Sequence, residues 1–230
     1  EIGIDRISLP LLILSTFITV LAIIYSIEHL PEPKSPKGFL ALILVLETGM
    51  NGTFVALDLI LFFVFFEIVL LPMYFMIGIW GDKTVRTVAG FKNQIETRLY
   101  ASIKFFVFTL FGSAFMLLGF LGLYYRGNRT FSIPELIELG TNGEFTGTIA
   151  MLVFAVLFLG FAVKVPMWPL HTWLPDAHTA APTVGSVLLA AILLKLGSYG
   201  FVRIAIPILP EQAKAWAPAI AILSAIGIIY

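Results

Sequence analysis

The sequence predicts an all-α integral membrane protein, a polytopic helix bundle of about seven transmembrane spans. Three observations point there. Of its 230 residues, 59% are hydrophobic and only 12% are charged, where a soluble domain carries roughly a quarter charged residues. Apolar runs of roughly 18 residues or more recur along the chain, each long enough to cross a bilayer as a helix. The runs are continuous, which excludes the short alternating strands of an outer-membrane barrel.

The elements follow in order. A first span covers 7–27 and ends in "EHLPEPKSPK"; a second covers 38–55 and a third 57–80. After the polar segment "GDKTVRTVAGFKNQIETR" comes a fourth span, 99–125. The loop behind it holds a short helix, because Ser132 and Glu135 have the spacing of a capping box with Pro134 in the first turn. The fifth span, 148–173, contains a break; the sixth is 183–208; the seventh starts near Ala213. The chain begins at Glu1 and stops within the apolar run "ILSAIGIIY", so 1–230 is expected to be a single transmembrane domain fragment of a longer protein, truncated at both ends.

Seven threaded spans put loops 28–38, 81–98 and 174–182 on one side. These carry Lys34, Lys37, Lys83, Arg86, Lys92 and Arg98, against Arg6, Arg126, Arg129 and Lys214 opposite. The lysine and arginine bias makes the first side cytoplasmic. Trp80, Trp168, Trp173 and Trp216 fall near span ends or breaks, where interfacial tryptophans sit. The chain has no cysteine, which excludes disulfides, thiolate zinc sites and cysteine-held iron–sulfur clusters within it. Its net charge is zero, so nothing suggests a nucleic-acid partner. No glycine-rich phosphate loop opens a dinucleotide-binding unit.

A charge at the centre of a span costs about 2.5 kcal/mol or more, and this chain holds several. Glu67 lies in "FFVFFEIVLLPMYF", Lys164 deep in the fifth span, and Lys195 in "LLAAILLKLGSYG". Glu47 lies midway along the second span, where Thr48 and Asn51 also make the helix polar. Asp58 and Lys104 are nearer span ends; Asp58 is placed to start a helix, and Lys104 to snorkel toward the interface. A lone intramembrane charge can serve packing alone. Three central charges of both signs on three spans are harder to explain that way, since apolar residues would pack without the desolvation cost.

Prolines adjoin these charges. Pro72 removes the helical donor for the Ile68 carbonyl, and Pro166 and Pro169 do so for Ala162 and Val165, on either side of Lys164. A freed carbonyl in hydrocarbon needs a donor, and a lysine ammonium offers three. Break and charge therefore answer each other's need and favour a hydrated pocket. His171 and His178 flank "TWLPDA" just past the break; histidine titrates near neutral pH and can relay protons. Asp176 is the one obvious extra ligand there, too little for a metal site, and His29 lies in a solvated loop.

The segment "GFAVKVPMWPLHTWLPDAHTAAPTVGSVLLAAILLKLGSYGFVR" resembles the signature region of the antiporter-like, proton-translocating subunits of respiratory complex I, NADH-quinone oxidoreductase. "LDLILFFVFFEIVLLPMYFMIGIWG" resembles their glutamate-bearing helix, and "LPMYFMIGIWG" and "LLKLGSYG" favour the M (chain 4) branch. The resemblance implies two inverted five-helix repeats, the first held here whole, with its broken helix. It implies proton-translocating roles for Glu67, Lys104, Lys164, Lys195, His171 and His178. It implies a place in an energy-transducing membrane, a bacterial inner membrane above all, beside subunits L and N. It implies no cofactor in this chain; the complex would use NADH, FMN, iron–sulfur clusters and a quinone. Lys164 would hold or release its proton according to its distance from Glu67, and pass it toward Lys195. The other classes sharing these helices are multi-protein sodium/proton antiporters and membrane-bound hydrogenases; a purely structural membrane subunit is a further reading.

Overall fold

A computed structural model of the chain describes residues 1–86 and 94–229; Lys92, counted above among the loop charges, lies outside the described residues. Among the described residues, seven helices or helix sets are long and apolar enough to span a membrane, as expected. They are α1 (Ser8–Glu28), α2 (Pro36–Val55), the pair α3 (Leu59–Ile68) and α4 (Leu70–Trp80), and α5 (Thr97–Arg126). Beyond the short α6 (Ile133–Thr141) come α7 (Gly147–Lys164) and α8 (Trp173–Ala180). The sixth span is α9 (Thr183–Leu188), a π turn (Leu189–Leu193), α10 (Leu194–Gly200), a second π turn (Phe201–Ala205) and α11 (Ile206–Ile208). The seventh is α12 (Pro210–Ile229).

Several boundaries have a local reason. The third span is interrupted at Val69, three residues before Pro72, whose missing N–H and bulky ring disturb the preceding turn. The segment 174–182 is mostly helix α8 and not loop. Strands β1 (Val85–Arg86) and β2 (Ile95–Glu96) pair antiparallel in the loop after the third span. The α6 helix forms with Ser132 at its N-cap position, yet the Ser132 side chain makes no capping hydrogen bond. The two π turns leave no mark on hydrophobic periodicity.

Packing follows membrane rules. Lipid is as apolar as leucine, so large apolar side chains gain little by turning inward, and interfaces favour small residues. On α1, Ser15, Thr19, Ala22 and Ser26 are buried while Ile13, Phe17, Val20, Leu21 and Ile24 face outward. The Thr19 and Ser26 hydroxyls donate to the carbonyls of Ser15 (2.9 Å) and Ala22 (2.7 Å), so each is satisfied within its own helix. Helices α5 and α7 form the most extensive pair. A Cβ on Gly112 would lie 2.8 Å from the Val163 Cβ, and one on Gly160 would lie 2.9 Å from the Gly112 carbonyl oxygen. The two backbones therefore meet along a glycine seam.

The two ends of the bundle are each assembled from loops that threading places together. At one end the Trp80 indole donates to the Pro33 carbonyl (2.8 Å), and the Asp82 N–H donates to the Ala180 carbonyl (2.8 Å). At the other, Gly3 N–H donates to Val55, and Leu59 N–H to Phe131.

Gly160→Leu should split the α5–α7 seam. Overpacking of this kind costs about 1–3 kcal/mol, so the thermal midpoint of the detergent-solubilised protein should fall by several degrees. An unchanged midpoint would mean that the seam is loose.

Candidate functional site

Lys164 ends α7 and is the most deeply buried charged side chain among the described residues, with 2% of its surface exposed. Its ammonium lies over the Phe66 ring, 4.6 Å from the centroid. Glu67, next to Phe66 at the interrupted end of α3, is half-buried and close enough for direct electrostatic coupling with Lys164. Lys164 Nζ and Glu67 Oε1 are nevertheless both buried without a hydrogen-bond partner among the described residues. The Ser113 hydroxyl of α5 lies beside the Glu67 carboxylate. Here the helices converge by design of sequence: the α5–α7 seam brings Ser113 and Lys164 inward, and Pro72 perturbs the helix that carries Glu67.

The break after Lys164 differs from expectation in its hydrogen bonding. The Ala162 carbonyl, which Pro166 would orphan, accepts from the Met167 N–H (2.9 Å). The Val163 carbonyl accepts from the Trp173 indole (3.0 Å). A backbone N–H and an indole N–H thus serve the Ala162 and Val163 carbonyls, and the lysine caps neither. Trp173 is fully buried against Phe105, with ring centroids 5.5 Å apart, so it is an internal strut and not an interfacial anchor. The Lys164 ammonium is left with a ring face and the field of a carboxylate. Breaking a buried pair outright costs roughly 3–5 kcal/mol, so this arrangement is energetically poised and not saturated.

The remaining expected residues sort as follows. Lys104 does not snorkel: it pairs with Asp176 of α8 at 2.8 Å, each about four-fifths covered, and its ammonium lies 5.6 Å from the Tyr100 ring centroid. Lys195 is not covered by the other described residues of this chain. It lies on the exposed face of α10 and donates to the Ala190 carbonyl inside the first π turn. Its helix still touches the site, since a Cβ on Gly197 would lie 3.0 Å from the Lys164 Cβ. Asp58 is a helix cap, accepting from the Ile60 (2.9 Å) and Leu61 (3.0 Å) N–H groups. Glu47 pairs with Asn51 one turn on. His171 and His178 are half-buried around α8, and His29 is exposed, stacked on Tyr25. Among the described residues, no group of three or more histidine, cysteine, aspartate or glutamate side chains could hold a metal ion. One intramembrane charge escapes a reading by span centres: Arg203, in the second π turn, paired with Asp5 at 2.8 Å. An arginine inside an apolar run is itself a signal, weakened here by its nearness to the span end.

A multi-pass helical membrane protein with a buried lysine–glutamate couple and a broken helix is the class that fold and site define. The profile of the transmembrane family "NADH:quinone oxidoreductase/Mrp antiporter" matches residues 56–99 and 92–230, and that of the amino terminus of NADH-ubiquinone oxidoreductase chain 4 matches 1–53. The chain belongs to this NADH:quinone oxidoreductase/Mrp antiporter family. It is 43% identical over 239 residues to NADH-quinone oxidoreductase subunit M of Rhodobacter capsulatus, covering 100% of this chain and 43% of that protein. It is 42% identical over 229 residues to NADH-ubiquinone oxidoreductase chain 4 of Marchantia polymorpha, covering 100% of this chain and 42% of that one. A chain of respiratory complex I from Thermus thermophilus with bound NADH superposes with a TM-score of 0.77 at 30% identity, over 98% of this chain and 43% of that chain. The chain therefore spans less than half the length of these relatives. A chain of the archaeal membrane-bound sulfane sulfur reductase shares the fold, with a TM-score of 0.70 at 24% identity, over 87% of this chain and 29% of that one.

One pH dependence follows from α8, which lies between the fifth and sixth spans. Burial holds the His178 imidazole below its ordinary range. The unfolded chain therefore takes up this proton first as pH falls. The stability involved is complete above about pH 6.5 and is lost on acidification toward the lower folded value. The thermal midpoint of the solubilised protein should drop between about pH 7 and 5, and His178→Gln should flatten that drop. An identical slope in the variant would remove His178 from the account.

Proposed function

We propose that this chain is the first-repeat part of a proton-translocating membrane subunit of NADH-quinone oxidoreductase, driven by quinone reduction elsewhere in the complex. The observation that carries the reading is the buried couple of Glu67 and Lys164, electrostatically linked yet with Oε1 and Nζ unpartnered. A saturated ion pair is a structural element. An unsaturated one, in a low-dielectric setting, changes its protonation when the two groups move apart or together. The interrupted helix at Val69 and the break after Lys164 supply backbone that adjusts on both sides of the couple. Lys195, on the open face of the adjacent α10, is the group to which a released proton passes on its way to the second half of the longer relatives. Lys104 with Asp176, and His171 and His178, line the approach from the end of the bundle that holds Trp80 and Asp82.

On this reading the end with loops 28–38, 81–98 and 174–182 faces the cytoplasm of a bacterial inner membrane. The neighbours are other membrane subunits of the complex, including those called L and N. Redox chemistry stays outside the chain: NADH, FMN, iron–sulfur clusters and quinone belong to other subunits, and this subunit moves protons without forming a covalent bond. The description of the matched family also names the Mrp antiporter, which favours a second reading as a subunit of a multi-protein sodium/proton exchanger. Co-purifying subunits decide between them: proteins with iron–sulfur clusters in the first case, small membrane proteins alone in the second.

In the assembled complex, Lys164→Ala should abolish most proton pumping while quinone reduction by the hydrophilic subunits persists. Near-normal pumping would overturn the role of the couple. Glu67→Gln should impair pumping more than Glu67→Asp, because only the aspartate keeps a charge that responds to Lys164. Equal, mild effects of both would remove the charge switch.

A further inference from the structure

A proton that reaches Lys195 must be kept from leaving at the nearer membrane face. The sixth span continues from Lys195 to Tyr199 one turn on, and then to Arg203 in the second π turn. At first sight this is a polar trail toward the end of the bundle that holds residues 1–5. We infer that it is instead a seal: Arg203, clamped by Asp5, closes the first repeat against proton leakage at that face. The inference rests on the proton-translocating reading given above.

Each member of the trail is held in a state that cannot pass a proton. A relay group must accept at one atom and donate at another. Arginine has no acceptor and stays protonated. The Tyr199 hydroxyl donates to the Phe54 backbone carbonyl at 2.9 Å, buried, and a carbonyl hands nothing on. The oxygen of that hydroxyl faces the Arg203 side chain, a donor. Arg203 Nη1 meets Asp5 Oδ2 at 2.8 Å, and Arg203 Nε is buried without a partner among the described residues. Asp5 Oδ1 is occupied by the N–H groups of Ile7 (2.9 Å) and Ser8 (2.7 Å). Burial works to raise the Asp5 carboxyl, but these two donors and Arg203 outweigh it and hold it below the usual carboxylate range, so the clamp stays charged.

Rings close the space around this hydroxyl. Phe54 and Phe62 pack on Tyr199 with centroids 5.2 and 6.3 Å away, and Phe161 packs on Phe201 at 5.4 Å. Residues 1–3 are bonded to the end of α2 and the turn after it. Gly3 N–H donates to the Val55 carbonyl (2.8 Å), Leu57 N–H donates to the Glu1 carbonyl (3.1 Å), and Ile2 bridges to Ala56. The Arg203–Asp5 pair is neutral as a whole, so it works as a clamp: it ties the end of the sixth span to residues 1–5, and neither partner in its paired state hands a proton on. An apolar residue at 203 would leave Asp5 without its cation and the clamp undone.

The test uses the intact complex in proteoliposomes, at rest, with an imposed potassium diffusion potential and a pH-sensitive dye inside. With Arg203→Gln, passive proton influx should rise about tenfold, equivalent to about 1.4 kcal/mol of barrier, while quinone-reductase turnover is unchanged. Asp5→Asn should leak in the same direction, and Arg203→Lys, which keeps the charge, should stay tight. Vesicles with Arg203→Gln and Asp5→Asn as tight as the parent overturn the seal. If Arg203→Gln fails to assemble, Asp5→Asn decides the matter alone. The resting leak is independent of turnover. Normal pumping by Lys164→Ala would therefore sink the proton-translocating role alone, and a tight Arg203→Gln would sink the seal alone.

Discussion

Everything in this structure is arranged around one unsaturated electrostatic couple in a medium that punishes unsaturation. Lys164 and Glu67 lie within each other's field, yet the lysine rests on the Phe66 ring and a carboxylate oxygen stays unpartnered. In water such a pair would be of little consequence, worth about 0–1 kcal/mol. In the interior, where the effective dielectric is lower, the same pair interacts more strongly. Stability and responsiveness are opposed here. Filling the last hydrogen-bonding positions would make the bundle firmer and the couple inert.

The backbone makes this tolerable by satisfying itself elsewhere. The Ala162 and Val163 carbonyls find Met167 and the Trp173 indole, so the break after Lys164 adds no polar debt to that of the ammonium. Asp58 caps α3, and the Thr19 and Ser26 hydroxyls of α1 bond within their own helix. The glycine seam between α5 and α7 then brings the backbones close enough to exclude lipid from the couple. The polar tension is thereby confined to a few atoms: Lys104 with Asp176 and Arg203 with Asp5 are paired at 2.8 Å each, whereas the central couple is not.

Some of this was legible in the sequence, and the reasons are physical. Span number, the interruptions near Pro72 and Pro166, and the α6 helix are written in composition and in proline's missing donor, which act locally. That Glu67 and Lys164 are intramembrane charges was legible from their place in apolar runs; their pairing came only from the family resemblance, since no local pattern gives the distance between two spans. What stayed hidden depends on partners remote in sequence or on faces. Lys195 sits mid-span on the face of α10 opposite the one that packs against Lys164 at Gly197, a face left uncovered in a chain that spans less than half the length of its relatives. Trp173 resembles an interfacial tryptophan by position and is buried because its indole reaches the Val163 carbonyl. Asp5 and Arg203 are about two hundred residues apart, and no periodicity joins them.

The two π turns of the sixth span carry a mechanical corollary. Each winds one residue more per hydrogen-bonded turn than the α-helical ladder does. They bracket α10, the seven-residue piece that bears Lys195. Such a piece is less tightly keyed in azimuth to the helix on either side, and its setting is governed by the close approach of Gly197 and Gly200 to Lys164 and Phe161. The azimuth of Lys195 is therefore set by sideways packing at two glycines and not handed along an unbroken α-helical ladder.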